Sequence, residues 1–169
     1  MGLDMYLYAR KYVSKYDFST TYEDRKPTEE FDSILSYAPE GLDKYGEFGG
    51  ASINITVGYW RKANAIHQWF VDNIQDGIDD CREAYVTRDD LVELRDLCAQ
   101  VLKVLPNGEH DEMYAEEVLP PQSGFFFGST EIDEWYWQDI DQTHKMLNHV
   151  LDLVPENDWH WNFYYQSSW

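Results

Sequence analysis

The chain has 169 residues, of which 43% are hydrophobic and 17% aromatic, which suits a folded core and excludes a disordered polymer. Its formal net charge of −19 disfavours direct binding to a nucleic-acid backbone, because affinity for phosphates needs a basic face. No segment approaches the ~18 consecutive apolar residues of a membrane span, so no membrane association is expected.

The first residues, MGLDMYLYARKY, carry an acid at position 4 and no long apolar run, so they do not read as a signal peptide. Gly2 invites a myristoylation reading, which fails because Tyr6 stands where Ser or Thr is needed. Residues 3–10 alternate, with Leu3, Met5 and Leu7 on one side and Asp4, Tyr6, Tyr8 and Arg10 on the other. That pattern predicts a half-buried strand. Residues 11–27 read as a polar excursion. Thr28 then caps a short helix with Phe31, Ile34 and Leu35 on one face, ended by Pro39 and Gly41. A Gly-rich turn is expected over 46–50.

Ile53, Ile55 and Val57 alternate with Asn54 and Thr56 and predict a second strand. Asn54-Ile-Thr56 is formally a glycosylation sequon, without meaning in a cytosolic protein. Gly58 reads as a turn into a helix, GYWRKANAIHQWFVDNIQ, with Tyr59, Ala63, Ile66, Phe70 and Ile74 on its apolar side. Trp60 and His67 lie beside that side, and Gly77 ends the helix. Thr87-x-x-Asp90 caps the next helix, whose buried stripe is Leu91, Leu94, Cys98, Val101 and Leu105, stopped by Pro106-Asn107-Gly108. Residues 109–121 hold five acids and a Pro-Pro turn.

Residues 122–141, QSGFFFGSTEIDEWYWQDID, draw most attention. Three phenylalanines between Gly124 and Gly128 run into the longest helix, expected over 131–154 and capped by Ser129 or Thr130, with Thr130-x-x-Asp133 close to a capping box. Ile132, Tyr136, Ile140, Thr143, Leu147, Leu151 and Val154 form its inward stripe. Trp135, Tyr136 and Trp137 cannot all be buried on one face, so at least one must meet a loop, a groove or a partner. After Pro155, Trp159, Trp161, Phe163 and Tyr165 alternate with His160, Asn162, Tyr164 and Gln166 and predict a terminal strand.

The resulting fold class is α+β: a small, mostly antiparallel sheet of N-terminal, central and C-terminal strands packed against three main helices. With no internal repeat and no linker, residues 1–169 read as a single domain. The charge is uneven, since residues 1–75 hold 8 basic and 11 acidic side chains and residues 76–169 hold 5 and 21. Cys81 and Cys98 form no CxxC, and Cys98 falls on the apolar side of a helix, which suits reduced cysteines in the cytoplasm.

No motif states a reaction. There is no HExxH, no histidine pair at i,i+4, no GxSxG, no P-loop and no GxGxxG. Loop clusters at His110-Asp111-Glu112 and Asp79-Asp80-Cys81 are the nearest approach to a metal set, and neither metal nor cofactor is expected. The cations are more informative. Arg61 and Lys62 are the only adjacent basic pair after residue 26, and a helix start carrying them favours anions.

The segments MGLDMYLY, YWRKANAIHQWF, SGFFFGSTEIDEWYWQD and the closing FYYQSSW resemble a family of small uncharacterised proteins met mostly in tailed-bacteriophage genomes. Residues 11–50 and 106–118 lie outside the resemblance. It implies no activity. It implies a context: an accessory phage protein in the bacterial cytoplasm, engaged in host takeover or counter-defence.

Three readings follow, in order of preference. The first is a protein-binding inhibitor whose acidic half masks a basic, nucleic-acid-binding surface of a host or defence protein. The second is a binder or sponge for a small anionic, nucleotide-like ligand. Trp60, Arg61, Lys62, Asn64, His67, the Phe125–Phe127 run with Phe126 at its centre, Ser129, Thr130, Trp135 and Tyr136 would line its pocket. The third is a hydrolase at that pocket, with His67 as acid or base.

Overall fold

The computed structural model describes all residues except 1, 19–20, 43–48, 125, 157 and 159; the Gly-rich turn expected over 46–50 therefore falls mostly outside the described residues, as does Trp159. The elements are β1 (Asp4–Ser14), α1 (Glu29–Leu35), β2 (Gly50–Arg61), α2 (Asn64–Ile74), β3 (Ala84–Val86), α3 (Arg88–Val101), α4 (Glu112–Val118), α5 (Glu134–Leu153) and β4 (Trp161–Ser168). The four strands form one sheet in the order β2-β1-β4-β3. The class is α+β; beyond the three strands, the three main helices and the short Thr28-capped helix expected, the chain adds the short strand β3 and the short helix α4.

The chain divides into two compact units, Arg10–Ile55 on one hand and Met1–Ala9 with Thr56–Trp169 on the other. In the smaller unit Val13 and Phe31 are buried. Thr28 caps α1 as its sequence predicts, its hydroxyl accepting from the Phe31 amide at 3.2 Å and donating to the Ser14 carbonyl at 3.0 Å.

In the larger unit the period-2 pattern of β1 puts Leu3, Met5, Leu7 and Ala9 on one face, all buried in the core with Val86, Phe163 and Tyr165 from β3 and β4. α2 adds Ile66 and Phe70, α3 adds Leu91, Leu94 and Cys98, and α5 adds Tyr136, Ile140, Leu147 and Leu151. The alternate residues Tyr6, Tyr8 and Tyr164 are only partly buried. β3 and β4 pair antiparallel, with Val86 opposite Phe163. α3 has a complete capping box between Thr87 and Asp90. Both cysteines are free, Cys98 buried and Cys81 half-buried. Among the described residues no helix is long and apolar enough to cross a membrane.

Several boundaries differ from expectation. β2 does not turn at Gly58 but continues to Arg61. Gly58 is a packing requirement, because a Cβ there would meet Met146 Sδ at 2.7 Å and Leu7 Cβ at 3.1 Å. Tyr59 is therefore an exposed strand residue bonded to Asp4, not part of a helical stripe. α3 stops at Val101, and Leu105 lies in a turn where its amide donates to the Glu109 carbonyl at 2.8 Å. The acidic stretch 109–121 contains α4, capped by Asp111.

Candidate functional site

Three segments of the larger unit converge on a pocket of about 340 Å³: the β2–α2 junction, the loop after α4, and the first turns of α5. Of the residues singled out from sequence, Arg61, Lys62, Asn64, Ser129, Trp135 and Tyr136 line it. Gly128, Glu131, Asp133 and Asp139 line it too.

Arg61 and Lys62 do not open a helix. Arg61 ends β2, and Lys62 is a left-handed residue (φ 63°) whose amide still donates to the Leu3 carbonyl at 2.8 Å. This sharp bend lets the strand pass into α2 within three residues, at a cost that non-glycine residues pay for αL geometry. Both cations are exposed, and among the described residues neither forms an ion pair, although the chain holds 32 acids. α2 begins at Asn64 behind Ala63, which supplies no side-chain cap, and its first turn contains no acid. The first turn of such a helix carries amides with no intrahelical acceptor, and Ala65 and Ile66 of that turn, both buried, back the pocket wall.

Asn64 serves the site by holding it together. Its Nδ2 donates to the carbonyls of Ser129 (2.8 Å) and Phe127 (3.2 Å), and its Oδ1 accepts from the Gln122 amide at 3.0 Å. All three of these bonds go to the loop, which fixes the loop against α2. Gly124 allows the Phe127 ring to close onto the loop, since a Cβ there would lie 2.3 Å from the ring.

The far wall is α5. Neither Ser129 nor Thr130 caps it; Ser129 Oγ accepts from the Glu131 amide in a tight turn, while Asp133 Oδ1 accepts from Trp135 and Tyr136 at 2.9 and 3.1 Å. Asp133 wins because it reaches two orphan amides at once. The helix starts at Glu134, so Trp135 points outward with 72% of its surface exposed. Tyr136 is buried and donates to the Leu119 carbonyl at 3.0 Å. Asp139 is half-buried beside the apolar stripe, where burial first and the Asp133 charge second push its carboxyl up from 3.8 to about 6.

Four expected members are elsewhere. Trp60 is buried in β2, its indole donating to Thr143 Oγ1 at 2.8 Å. His67 is fully buried on the core side of α2, between the Tyr165 hydroxyl (2.7 Å) and Asp79 (3.0 Å), and edge-on to Phe127. A side chain so enclosed touches no ligand, which corrects its assignment as an acid or base. Phe126 is half-exposed at φ 66° and Thr130 is exposed; neither lines the pocket. Phe125 lies outside the described residues. Gly128, Glu131, Asp133 and Asp139 line the pocket without being expected there, and the sequence signal of Asp139 is an acid between Tyr136 and Thr143 beside an apolar stripe.

The loop acids have protein partners. Asp79 also accepts from Trp169 Nε1 at 3.0 Å, and Arg82 lies 3.7 Å from Asp80. Among the described residues no group of three or more His, Cys, Asp or Glu side chains is arranged to hold a metal ion.

No protein-family model matches the chain, and neither the curated proteins nor the solved structures contain a match.

Proposed function

We propose that this protein acts by non-covalent binding, and that the pocket between α2 and α5 takes a small anionic ligand carrying a flat ring, of the nucleotide class. One observation carries the reading: among the described residues Arg61 and Lys62 stay without an ion pair in a strongly acidic chain, beside a helix start that has no side-chain cap and no acid in its first turn. Such a start attracts anions through its dipole and its free N–H groups. The exposed face of Trp135 supplies a stacking surface at the rim. Glu131, Asp133 and Asp139 limit the negative charge the site accepts and favour a ligand with donor groups on its ring.

The test is a Trp fluorescence or calorimetric titration with inorganic phosphate and with purine mono-, di- and cyclic nucleotides. Saturable binding lost in Arg61→Ala, with an unchanged melting temperature, is the expected result. A loss of folding in that variant returns Arg61 to a structural role. Conversion of excess ligand by substoichiometric protein would replace the binder by the hydrolase reading, in which no buried His67 can take part.

A second reading rests on charge. Residues 76–169 carry 21 acids against 5 bases, which suits a protein that masks the basic, nucleic-acid-binding surface of a host or defence protein. The resemblance to tailed-bacteriophage proteins supports this accessory role in the host cytoplasm, in host takeover or counter-defence. A partner recovered from infected cells in stoichiometric amount, and displaced by DNA or RNA, is its expected mark.

A further inference from the structure

A second concave surface adjoins the ligand pocket across Asp133, which lines both, and its chemistry is opposite. The loop after α3 folds back through a bridge between Val104 and His110, which lays the His110 ring on Trp137 of α5 with centroids 4.5 Å apart and planes 23° apart. Two hollows meet at this stack. One runs along α5 over Leu102, Ile132 and Trp137, the other along α4 over Leu105, Met113 and Trp137. Met113 is 83% exposed and Val104 58%, an arrangement that leaves apolar surface in water next to an aromatic stack.

The rim is uniformly acidic. Glu109, Asp111 and Glu112 line the α4 side, and Asp133, Glu134 and Asp141 the α5 side, with no Lys or Arg among the lining residues of either hollow. Residues 104–144 contain ten Asp or Glu and no Lys or Arg at all. Asp141 is balanced by Lys145 at 2.6 Å, but Glu109, Asp111, Glu112 and Glu134 face no cation among the described residues. Four unbalanced carboxylates around an apolar floor are complementary to one kind of occupant.

We infer that this groove docks a cationic amphipathic segment of a protein partner, with aliphatic side chains on Leu105, Met113 and Trp137 and Lys or Arg on the rim. Met113 suits such a role because an unbranched thioether repacks against varied side chains. Nucleic acid is excluded as the occupant by the sign of the rim. The inference rests on the charge-based second reading and gives it a location; Leu105 and Met113, on which it is tested, do not line the Arg61–Lys62 pocket.

The probe is a fluorescein-labelled 14-residue peptide with Lys and Leu at helical spacing, followed by anisotropy. Two relatives accompany it, one with Ser for Leu and one with Glu for Lys. The Lys/Leu peptide binds, loses at least tenfold in affinity between 50 and 300 mM salt, and outcompetes the Lys/Ser form at least fivefold. Met113→Ser with Leu105→Ser weakens it at least fivefold without moving the melting temperature, since both side chains are exposed. Asp89→Asn with Glu93→Gln, on the outer side of α3, leaves it within twofold. Equal losses from the α3 and groove variants, or equal binding of the Lys/Ser peptide, would overturn the groove while leaving a diffuse acidic mask. No binding of either cationic peptide at 50 mM salt would overturn both.

Discussion

His67 Nδ1 lies 2.7 Å from the Tyr165 hydroxyl, although the two residues are 98 positions apart and belong to α2 and β4. Nε2 lies 3.0 Å from Asp79 Oδ2, so both nitrogens of the buried ring have a hydrogen-bond partner. Tyr165 itself stacks on Phe70 with centroids 3.9 Å apart, and burial first and the Asp79 charge next push its phenol well up. The pair is thus a buried clamp between helix and sheet.

His67→Ala should therefore cost about 3 kcal/mol, combining a core cavity with a stranded Tyr165 hydroxyl. Asp79→Asn, which keeps a hydrogen-bond acceptor at a partly exposed position, should cost less. Urea unfolding measures both. Ligand affinity of the folded fraction stays unchanged, and a selective loss of binding at full stability would put His67 back in the site.

Lys62 offers a two-sided test, because its backbone and its charge pull apart. Lys62→Gly relieves the left-handed backbone and should raise stability by up to ~1 kcal/mol. The same change removes one charge-assisted contact and should weaken anion binding about tenfold. Lys62→Ala should weaken the binding to the same extent without gaining the stability. Equal melting behaviour of the Gly and Ala variants would show that the αL geometry carries no strain.

Much of this was legible in the chain, and the misses have physical causes. The stripes of α3 and α5 and the alternation of β1 and β4 are long periodic signals, and each forms the element it predicts, with α3 ending before Leu105 and α5 starting at Glu134. Gly58 misleads because a glycine demanded by the approach of Met146 looks, in one dimension, like a turn. That error shortens β2, and it sets Arg61 and Lys62 on a helix instead of at a strand's end. α4 is missed because only Ala115 is buried among its seven residues, too little for an apolar stripe. Arg61, Lys62, Trp135 and Tyr136 group in the sequence by charge, by aromatic content and by an expected helix start, and they do line one pocket. The spent hydrogen bonds of Asn64 and the enclosure of His67 depend on the loop and β4, which no local pattern encodes.

Asp139 gives the site a pH dependence with a definite sign. A carboxyl raised from 3.8 to about 6 by folding binds its proton more tightly in the native state. Its contribution to stability is fully present below pH 3.8 and is lost as pH rises through 6. Asp139→Asn removes that loss, so its melting temperature should match the parent near pH 3.5 and exceed it by a few degrees at pH 7.5. Parallel melting curves across this range would remove the effect. In the parent, anion affinity should also fall between pH 5 and 7 as Asp139 ionises beside Glu131 and Asp133, and in the Asn variant it should not.

Asp133 combines two roles that different substitutions separate. As the cap of α5 it holds the Trp135 and Tyr136 amides, and Asp133→Ala should cost about 1 kcal/mol. Asn keeps a capping oxygen, so Asp133→Asn should melt close to the parent. It also deletes a negative charge from the pocket wall, which lowers the Asp139 carboxyl toward its ordinary value and strengthens anion binding. Thr130→Ala, at the position that the sequence favours as a cap, should change neither quantity. If Asp133→Asn weakens anion binding, the carboxylate contacts the ligand through a donor group, and the ring of that ligand faces α5 rather than Arg61.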